Sequence, residues 1–317
     1  MFSLTGSLNL AGMSISNLTG LEYAINVTSI SLGNNSVTSL EPLKNLYKLK
    51  NLDYSNNNVK AVPSWIFDMQ SLESVNGSAN GSTVFSSGPS AENTVLKSMY
   101  FENNKFTSVP DLSLCTSLEI LSLSNNEFTQ FPSNLLSLTK LQMLNLANNE
   151  ISTVPDLSAL TSLNTINFDG NNLTEFPSGL EKLSSLQQIS VSGNQITQIP
   201  DSISSNSSLQ ILLISMNNIE TLPESLSNSS SLKVLDISLN NIDFNENANV
   251  INALSRKLST FYYKLQKPSF TLEIYQEDVY KRQIVYFCHM QHLYTVFLIK
   301  SLRNYMTNTY EIFSWVC

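Results

Sequence analysis

Apolar and polar residues alternate in a phrase that recurs every 22 to 24 residues along most of the chain. The phrase reads L-x-x-L-x-L-x-x-N-x-[LIVF], and its clearest copy runs from Leu118 to Phe128. The L-x-L run within it has the period of a short β-strand with one buried face. The rest of each copy must return the chain to a start point one strand further along. The pattern therefore predicts about ten or eleven short parallel strands, stacked about 4.8 Å apart.

An asparagine follows each predicted strand at the same place in the phrase. There the backbone turns inward and leaves N–H and C=O groups without partners in the sheet. A buried amide can both donate and accept hydrogen bonds, so stacked asparagine side chains can satisfy those groups. We therefore predict a structural column rather than a ligand site. The column comprises Asn35, Asn57, Asn104, Asn126, Asn149, Asn171, Asn194, Asn217 and Asn240.

The segments that return the chain to the next strand share a proline, as in Phe176-Pro177. Proline fixes φ and lacks an N–H donor, which favours a loop and disfavours a second long sheet. One copy, at residues 72–95, keeps Leu72, Val75 and Asn80 but is rich in glycine and serine. We interpret it as a degenerate turn whose loop bulges outward. The loop is either a binding element or the result of sequence drift.

Composition changes divide the chain into a repeat region and three C-terminal segments. Residues 1–245 are the predicted solenoid. At residues 246–267, Val250, Ile251, Leu254 and Leu258 share one helical face, which predicts a helix and a closing strand that cap the sheet. Residues 268–277 alternate apolar and polar positions and predict the start of a truncated β-rich domain.

The final segment, residues 278–317, differs from everything before it. Residues 278–283 read DVYKRQ, which is similar to a translation of the transposon end used in tagmentation sequencing libraries. We therefore predict that this tail is an artefact and exclude it from the fold. The alternative is a membrane span at residues 284–302. Polar residues such as His289 and Gln291 interrupt that run, and it is shorter than the roughly 20 apolar residues that a span needs.

The repeat period and the asparagine position together resemble the leucine-rich repeat family, over residues from about 5 to 245. The run at residues 17–24 is similar to the opening repeats of internalin-type surface proteins of Gram-positive bacteria. Internalins mostly keep 22-residue turns, whereas several copies here have 23. The resemblance therefore indicates a class of protein and does not identify a binding partner. It implies an α/β solenoid: a right-handed superhelix with a parallel β-sheet on its concave face and an irregular or short helical convex side. It also implies an N-terminal cap and a signal peptide, neither of which is visible here.

Residue usage excludes most catalytic chemistry. Residues 1–277 contain no histidine and one cysteine, which rules out Ser-His-Asp and Cys-His arrangements and a His/Cys zinc site. We therefore predict no enzyme activity, no catalytic residue, no cofactor and no metal. The net charge of −8 and the lack of a basic stripe argue against nucleic acid as a partner. No membrane span is predicted within the repeats.

Variable positions beside the strand leucines form the predicted concave face. Most of them are small and polar, but Leu213, Met216 and Leu239 replace polar residues near the C-terminal end. These three are either an exposed partner site or a surface that the cap helix covers. The predicted partner-binding residues are Tyr100, Glu102, Asn145, Asn167, Asp169, Leu213, Met216, Asp236 and Leu239.

A solenoid with such a face functions by binding other molecules. We expect a protein ligand, or alternatively a glycan, and a role as an adhesin or interaction module at a bacterial cell surface or in the secreted state. One alternative is an intracellular scaffold or regulatory protein, since a chain almost without cysteine fits either compartment. Another is the sensing ectodomain of a receptor. The sequence predicts no oligomeric state.

Overall fold

The computed structural model describes residues 4–267. The predicted β-rich start at 268–277 and the predicted artefactual tail at 278–317 lie outside the described residues. So does the alternative membrane span at 284–302.

Fourteen strands are present in the described part of the chain, and twelve of them form one parallel sheet. The sheet has the strand order β1-β2-β3-β5-β7-β8-β9-β10-β11-β12-β13-β14, so each strand lies beside the strand of the preceding turn. The strands are Thr5–Asn9 (β1), Asn26–Ser31 (β2), Asn51–Asp53 (β3), Ala61–Val62 (β4), Ser74–Asn76 (β5), Val84–Phe85 (β6), Ser98–Tyr100 (β7), Ile120–Ser122 (β8), Met143–Asn145 (β9), Thr165–Asn167 (β10), Gln188–Ser190 (β11), Ile211–Leu213 (β12), Val234–Asp236 (β13) and Thr260–Tyr262 (β14).

The core follows from the strand register. The central residue of each short strand pairs with the central residue of the next, as Leu121 does with Leu144, and both are fully buried. A second buried residue follows two positions later, for example Leu123 and Leu146. Because no single turn can bury its own apolar side, the stacked turns share one continuous core.

The return segments contain short helices. Five-residue 3₁₀ helices begin immediately after Pro132, Pro200 and Pro223, each of which has φ close to −70°. The 3₁₀ helices span Leu21–Tyr23, Glu41–Leu43, Ser133–Ser137, Leu180–Lys182, Asp201–Ser205 and Glu224–Asn228, and the α-helix α1 spans Trp65–Asp68. The second sheet in this part of the structure is the two-stranded pair β4–β6.

The degenerate turn at residues 72–95 is built into the solenoid at both sides. On the strand side, β5 joins the main sheet between β3 and β7. On the return side, Asp68 accepts hydrogen bonds from the N–H and Oγ of Ser90, at 2.8 and 2.9 Å. The buried Asn93 donates to the carbonyl of Phe67 at 2.7 Å. The loop that was expected to bulge outward is thus tied to the preceding turn.

The segment predicted as a cap continues the repeat. Its helix, α2, spans Ala248–Lys257 and replaces the usual 3₁₀ return, while β14 pairs with β13 in the register of the other strands. Gln266 then occupies the place of the column asparagine. Its amide donates to the carbonyls of Ile237 and Tyr263, and its Oε1 accepts from the N–H of Asn240.

Candidate functional site

The candidate site is the solvent-facing side of the twelve-stranded sheet, which we call the sheet face. It is formed by the last residue of each strand and by the residues that follow the second buried position. The strand-end positions are half-buried or exposed in all but two of the short strands, where Ser122 and Ser190 are buried. The predicted site residues Tyr100, Asn145, Asn167, Leu213 and Asp236 occupy this row.

The asparagine column lies beneath the sheet face and joins successive turns. Asn126 is representative: its Nδ2 donates to the carbonyl of Leu123 in its own turn and of Phe101 in the preceding turn, at 3.0 and 2.9 Å. Its Oδ1 accepts from the N–H of Phe106 at 3.0 Å. Asn80, in the degenerate turn, makes the same set of contacts. With every amide group engaged by backbone, the column has no free group for a ligand.

The residue before each column asparagine has a left-handed backbone, with φ between 52° and 66° at every copy from Asn34 to Leu239. Glycine adopts this conformation readily because it has no Cβ to approach the following carbonyl oxygen. Asparagine adopts it more often than most other residues because its short polar side chain can form local hydrogen bonds. Most copies obey the rule, with Asn34, Asn56, Asn103, Asn125, Asn148, Gly170 and Gly193. Ala79, Met216 and Leu239 are the exceptions. The repeated Asn or Gly before the column was the available sequence signal for this conformation.

An exposed apolar patch occupies the C-terminal end of the sheet face. It consists of Leu213, Met216, Leu239, Tyr262 and Leu265, and we refer to these five residues as the apolar patch. Met216 is 54% exposed, Leu239 38%, Tyr262 57% and Leu265 49%, while Leu213 is half-buried. The backbone joins them across turns. The Met216 N–H donates to the carbonyl of Ser238, the residue before Leu239, and the Leu239 N–H donates to the carbonyl of Leu265.

The idea that the cap helix covers these residues is wrong. Helix α2 packs against the 3₁₀ helix Glu224–Asn228 on the return side of the solenoid. There Lys257 donates to the carbonyl of Ser227 at 2.8 Å, and Leu254 is fully buried. The apolar residues of the helix are therefore used on the side away from the sheet face.

Four carboxylates lie along the sheet face: Asp53, Glu102, Asp169 and Asp236. Each accepts hydrogen bonds from serine. The Oγ of Ser190 lies 2.7 and 2.8 Å from the two oxygens of Asp169, and the N–H of Ser192 lies 2.6 Å away. The Oγ of Ser78 donates to Glu102, and the Oγ of Ser238 donates to Asp236. The backbone N–H of Ser55 donates to Asp53.

Partial burial raises the pKa of Asp169 above its usual value, and the hydrogen bonds from Ser190 and Ser192 oppose that rise. The four carboxylates occur on turns separated by two or three strands, so about 10 Å or more lies between neighbours. That separation is too large for an acid–base pair bridged by one water. In residues 4–267, no three His, Cys, Asp or Glu side chains are grouped closely enough to hold a metal ion.

Two features of the face were not predicted from the sequence. Tyr262 and Leu265 extend the patch, and the run TFYYKLQ matches the strand phrase once glutamine is accepted in place of asparagine. The second feature is a flank of alternating charge, with Lys50, Glu73, Lys97 and Glu119 just before successive strands. Lys50 Nζ lies 2.9 Å from Glu73 Oε1, and this bond holds the pKa of Glu73 below its usual value.

A family model described as a leucine-rich repeat region matches residues 95–312. The chain belongs to the leucine-rich repeat family. Its parallel sheet and short return helices are those of a leucine-rich repeat solenoid. Leucine-rich repeat domains are typically non-catalytic modules that bind proteins.

Similar proteins come from bacteria and plants. The structure of internalin inlF from Listeria monocytogenes is 24% identical with a TM-score of 0.62, and the match covers 83% of this chain and 81% of that one. The plant peptide hormone receptor RGFR1, solved in complex with RGF2, is 20% identical with a TM-score of 0.61, over 83% of this chain and 42% of that one. These likenesses establish the fold.

A curated relative is the calmodulin-binding receptor kinase CaMRLK of Arabidopsis thaliana, 32% identical over 116 residues. That match takes in 35% of this chain and 17% of the length of the kinase. Within residues 4–267, none of the helices has the length and apolar character required to cross a membrane.

Proposed function

We propose that this chain is a non-catalytic binding protein that holds a protein ligand on its sheet face outside the cell, as an adhesin or surface-interaction module. The observation that carries the proposal is the apolar patch. Large apolar side chains are exposed there in adjacent turns, at positions where most other turns have asparagine or glycine.

Two separate costs accompany these side chains. Exposed apolar surface gains nothing from the hydrophobic effect, and contiguous patches of it often mark interaction sites. A left-handed backbone also costs about 1–2 kcal/mol for residues other than glycine and asparagine. Met216 and Leu239 incur both costs, although asparagine satisfies the fold at Asn125 and Asn148. A ligand that covers the patch provides a reason for retaining them.

The scaffold suits this role because the sheet face is formed before any ligand arrives. Hydrogen bonds from the asparagine column fix each turn against its neighbour, as Asn217 does through its 2.9 Å bond to the carbonyl of Val191. A preformed surface loses little conformational entropy on association, so more of the contact energy appears as affinity. A protein ligand is the first choice, and a glycan is the alternative ligand class.

The test replaces both patch residues in the left-handed positions with aspartate. Wild type and the Met216→Asp/Leu239→Asp variant are immobilised, and captured proteins are compared by quantitative mass spectrometry. We expect a partner that wild type retains and the variant loses, with the same far-UV circular dichroism for both. A return-side control, Glu220→Gln/Glu224→Gln, should retain the partner, since both residues are exposed away from the sheet face. Equal capture by all three proteins would contradict a site at the patch.

A receptor ectodomain is the second candidate, favoured by the similarity to the receptor kinase CaMRLK. An intracellular scaffold that uses the same face is the third. Long-read sequencing of the source locus separates the three. A signal peptide with a wall anchor or further β domains supports the surface adhesin, and a downstream kinase supports the receptor. A native start without an export signal supports the scaffold.

A further inference from the structure

We infer that the ligand of the sheet face is a cationic polypeptide segment with a large apolar side chain. The apolar side chain packs on the apolar patch, and lysine or arginine side chains pair with Asp236 and Asp169. This inference rests on the proposed function and adds the chemistry of the partner to it.

The charge distribution of the sheet face selects a cation. From β2 to β14, the strand-end row and the row two residues later contain four carboxylates, namely Asp53, Glu102, Asp169 and Asp236. The one lysine in these rows is the exposed Lys264, in the last turn. The other lysines near the face lie on its flank, where Lys50 pairs with Glu73 and Lys233 donates to Gln210. The middle of the face therefore presents negative charge to a ligand, which favours a basic partner and disfavours an acidic one.

The four carboxylates are not neutralised from within the repeats. The ion pairs among residues 4–267 are Lys44–Glu41, Lys50–Glu73 and Lys182–Asp156, and none of them involves these carboxylates. Serine groups that donate to Asp169 and Asp236 orient the carboxylates without cancelling their charge. A side-chain cation from a partner would supply the missing counter-charge in a partly desolvated setting, where an ion pair is stronger than in bulk water.

The geometry brings the apolar and acidic groups within reach of one short segment. Asp236 lies in the strand-end row between Leu213 and Tyr262, because the register pairs Leu213 with Asp236 and Asp236 with Tyr262. An apolar residue on the patch would thus place a neighbouring cation next to Asp236 and the ring of Tyr262, and an aromatic face also attracts cations.

Asp169 lies three turns from Asp236, about 14 Å away at the usual strand spacing. An extended chain covers that distance in about four or five residues. A segment that crosses the strands can therefore place one cation at each carboxylate. Burial raises the pKa of Asp169 and thereby disfavours its ionised form. A cation from the partner would have the opposite effect and would favour the ionised form.

The experiment is a selection from a display library of random peptides about twelve residues long, which is enough to cross from Asp169 to Tyr262 when extended. Wild-type protein is the bait. Binding of the selected pool is then measured to three variants: Met216→Asn/Leu239→Asn, Asp169→Asn/Asp236→Asn and the return-side control Glu220→Gln/Glu224→Gln. Asparagine occupies the left-handed position in five other turns, so the first pair removes the two central side chains of the patch and leaves the repeat undisturbed.

We expect the pool to be enriched in both lysine or arginine and large apolar residues. Each pair of sheet-face substitutions should weaken binding about tenfold or more, as expected for central contacts, and the return-side control should not. Raising the salt concentration from about 0.05 to 0.5 M should weaken binding to wild type and have less effect on the Asp169→Asn/Asp236→Asn variant.

The possible failures are distinguishable. A pool that depends on Met216 and Leu239 but lacks basic residues, or ignores the loss of Asp169 and Asp236, overturns the cationic partner and leaves the sheet-face function intact. A pool indifferent to both sheet-face variants, or no enrichment at all, overturns this inference and counts against the proposed function as well.

Discussion

Restoring the repeat's usual residue at Gly77 should destabilise the protein. Gly77 lies in the column of second buried residues, where other turns have leucine, isoleucine, valine or an aromatic residue. Its φ is outside the left-handed region, so the backbone does not require glycine. The neighbours in the adjacent turns are Tyr54 and Phe101, and both are fully buried. Glycine is needed here because these two rings occupy the space that a larger side chain at residue 77 would fill.

The magnitude follows from the contacts that a new side chain would make. A Cβ on residue 77 would lie 2.4 Å from Tyr54 Oη and 2.6 Å from Phe101 Cε1. Carbon atoms do not approach this closely, so buried rings must shift, and overpacking of a core costs about 1–3 kcal/mol. Replacing glycine also restricts the unfolded chain, which offsets about 0.4–1 kcal/mol. We expect Gly77→Ala to lower the free energy of unfolding by about 1–2 kcal/mol, and Gly77→Leu by more.

The assay is urea unfolding followed by circular dichroism, arranged as a double-mutant cycle with Tyr54→Leu. Leucine at residue 54 removes the ring atoms nearest the new Cβ, including an Oη that has no hydrogen-bond partner within residues 4–267. Gly77→Ala should therefore cost about 1 kcal/mol less in the Tyr54→Leu background than in wild type. An alanine variant as stable as wild type would refute the steric argument. So would an equal cost of Gly77→Ala in the two backgrounds.

Four further predictions test other parts of the structure. Asn126→Ala should lower the free energy of unfolding in urea by about 1–3 kcal/mol, because it leaves buried backbone groups of two turns without hydrogen-bond partners. Asn148→Met should cost about 1–2 kcal/mol in the same assay, since it forces methionine into a left-handed backbone, whereas Met216→Asn should leave stability unchanged or raised. Burial raises the pKa of Cys115 to about 11, so a thiol reagent at pH 8 should label it in urea and scarcely in the native state. The pKa of Asp169 is raised in the folded state, so its protonated carboxyl group favours folding at low pH. That contribution is lost as the pH rises from the usual 3.8 through the raised value. The stability of Asp169→Asn relative to wild type should therefore increase over that window, as measured by unfolding at several pH values.

The sheet and its asparagine column could be predicted because each depends on a local rule. Period-two alternation locates the buried residue of a strand such as Ile120–Ser122, and the donor and acceptor of one amide explain Asn126. The twelfth strand was harder, because Gln266 replaces asparagine and a ten-residue helix replaces the short return. The predicted cap and the observed repeat comprise the same residues. The pairing of β14 with β13 and the hydrogen bonds of Gln266 identify the segment as a repeat.

The exposure of the apolar patch could not be predicted from the sequence. Helix α2 has a buried face of Val250, Ile251 and Leu254, but periodicity does not say which side of the solenoid that face covers. The answer depends on the return path of the chain, which places the helix beside Glu224–Asn228. The charge distribution of the sheet face depends likewise on which turns are adjacent. The degenerate turn at residues 72–95 made the number of turns between the carboxylates uncertain from the sequence.

The left-handed positions link the fold to the proposed function. A repeat protein has many copies of each position, and the copies themselves show which residues the backbone favours: Asn103, Asn125 and Asn148 set the rule for this one. Departures from such a rule are expected at functional sites. A single exception such as Ala79 is small and adds little apolar surface. Met216 and Leu239 are different, because they are large and exposed, lie in adjacent turns and border the half-buried Leu213 and the exposed Tyr262. Packing within the fold does not explain two such departures side by side, whereas a ligand that covers both does.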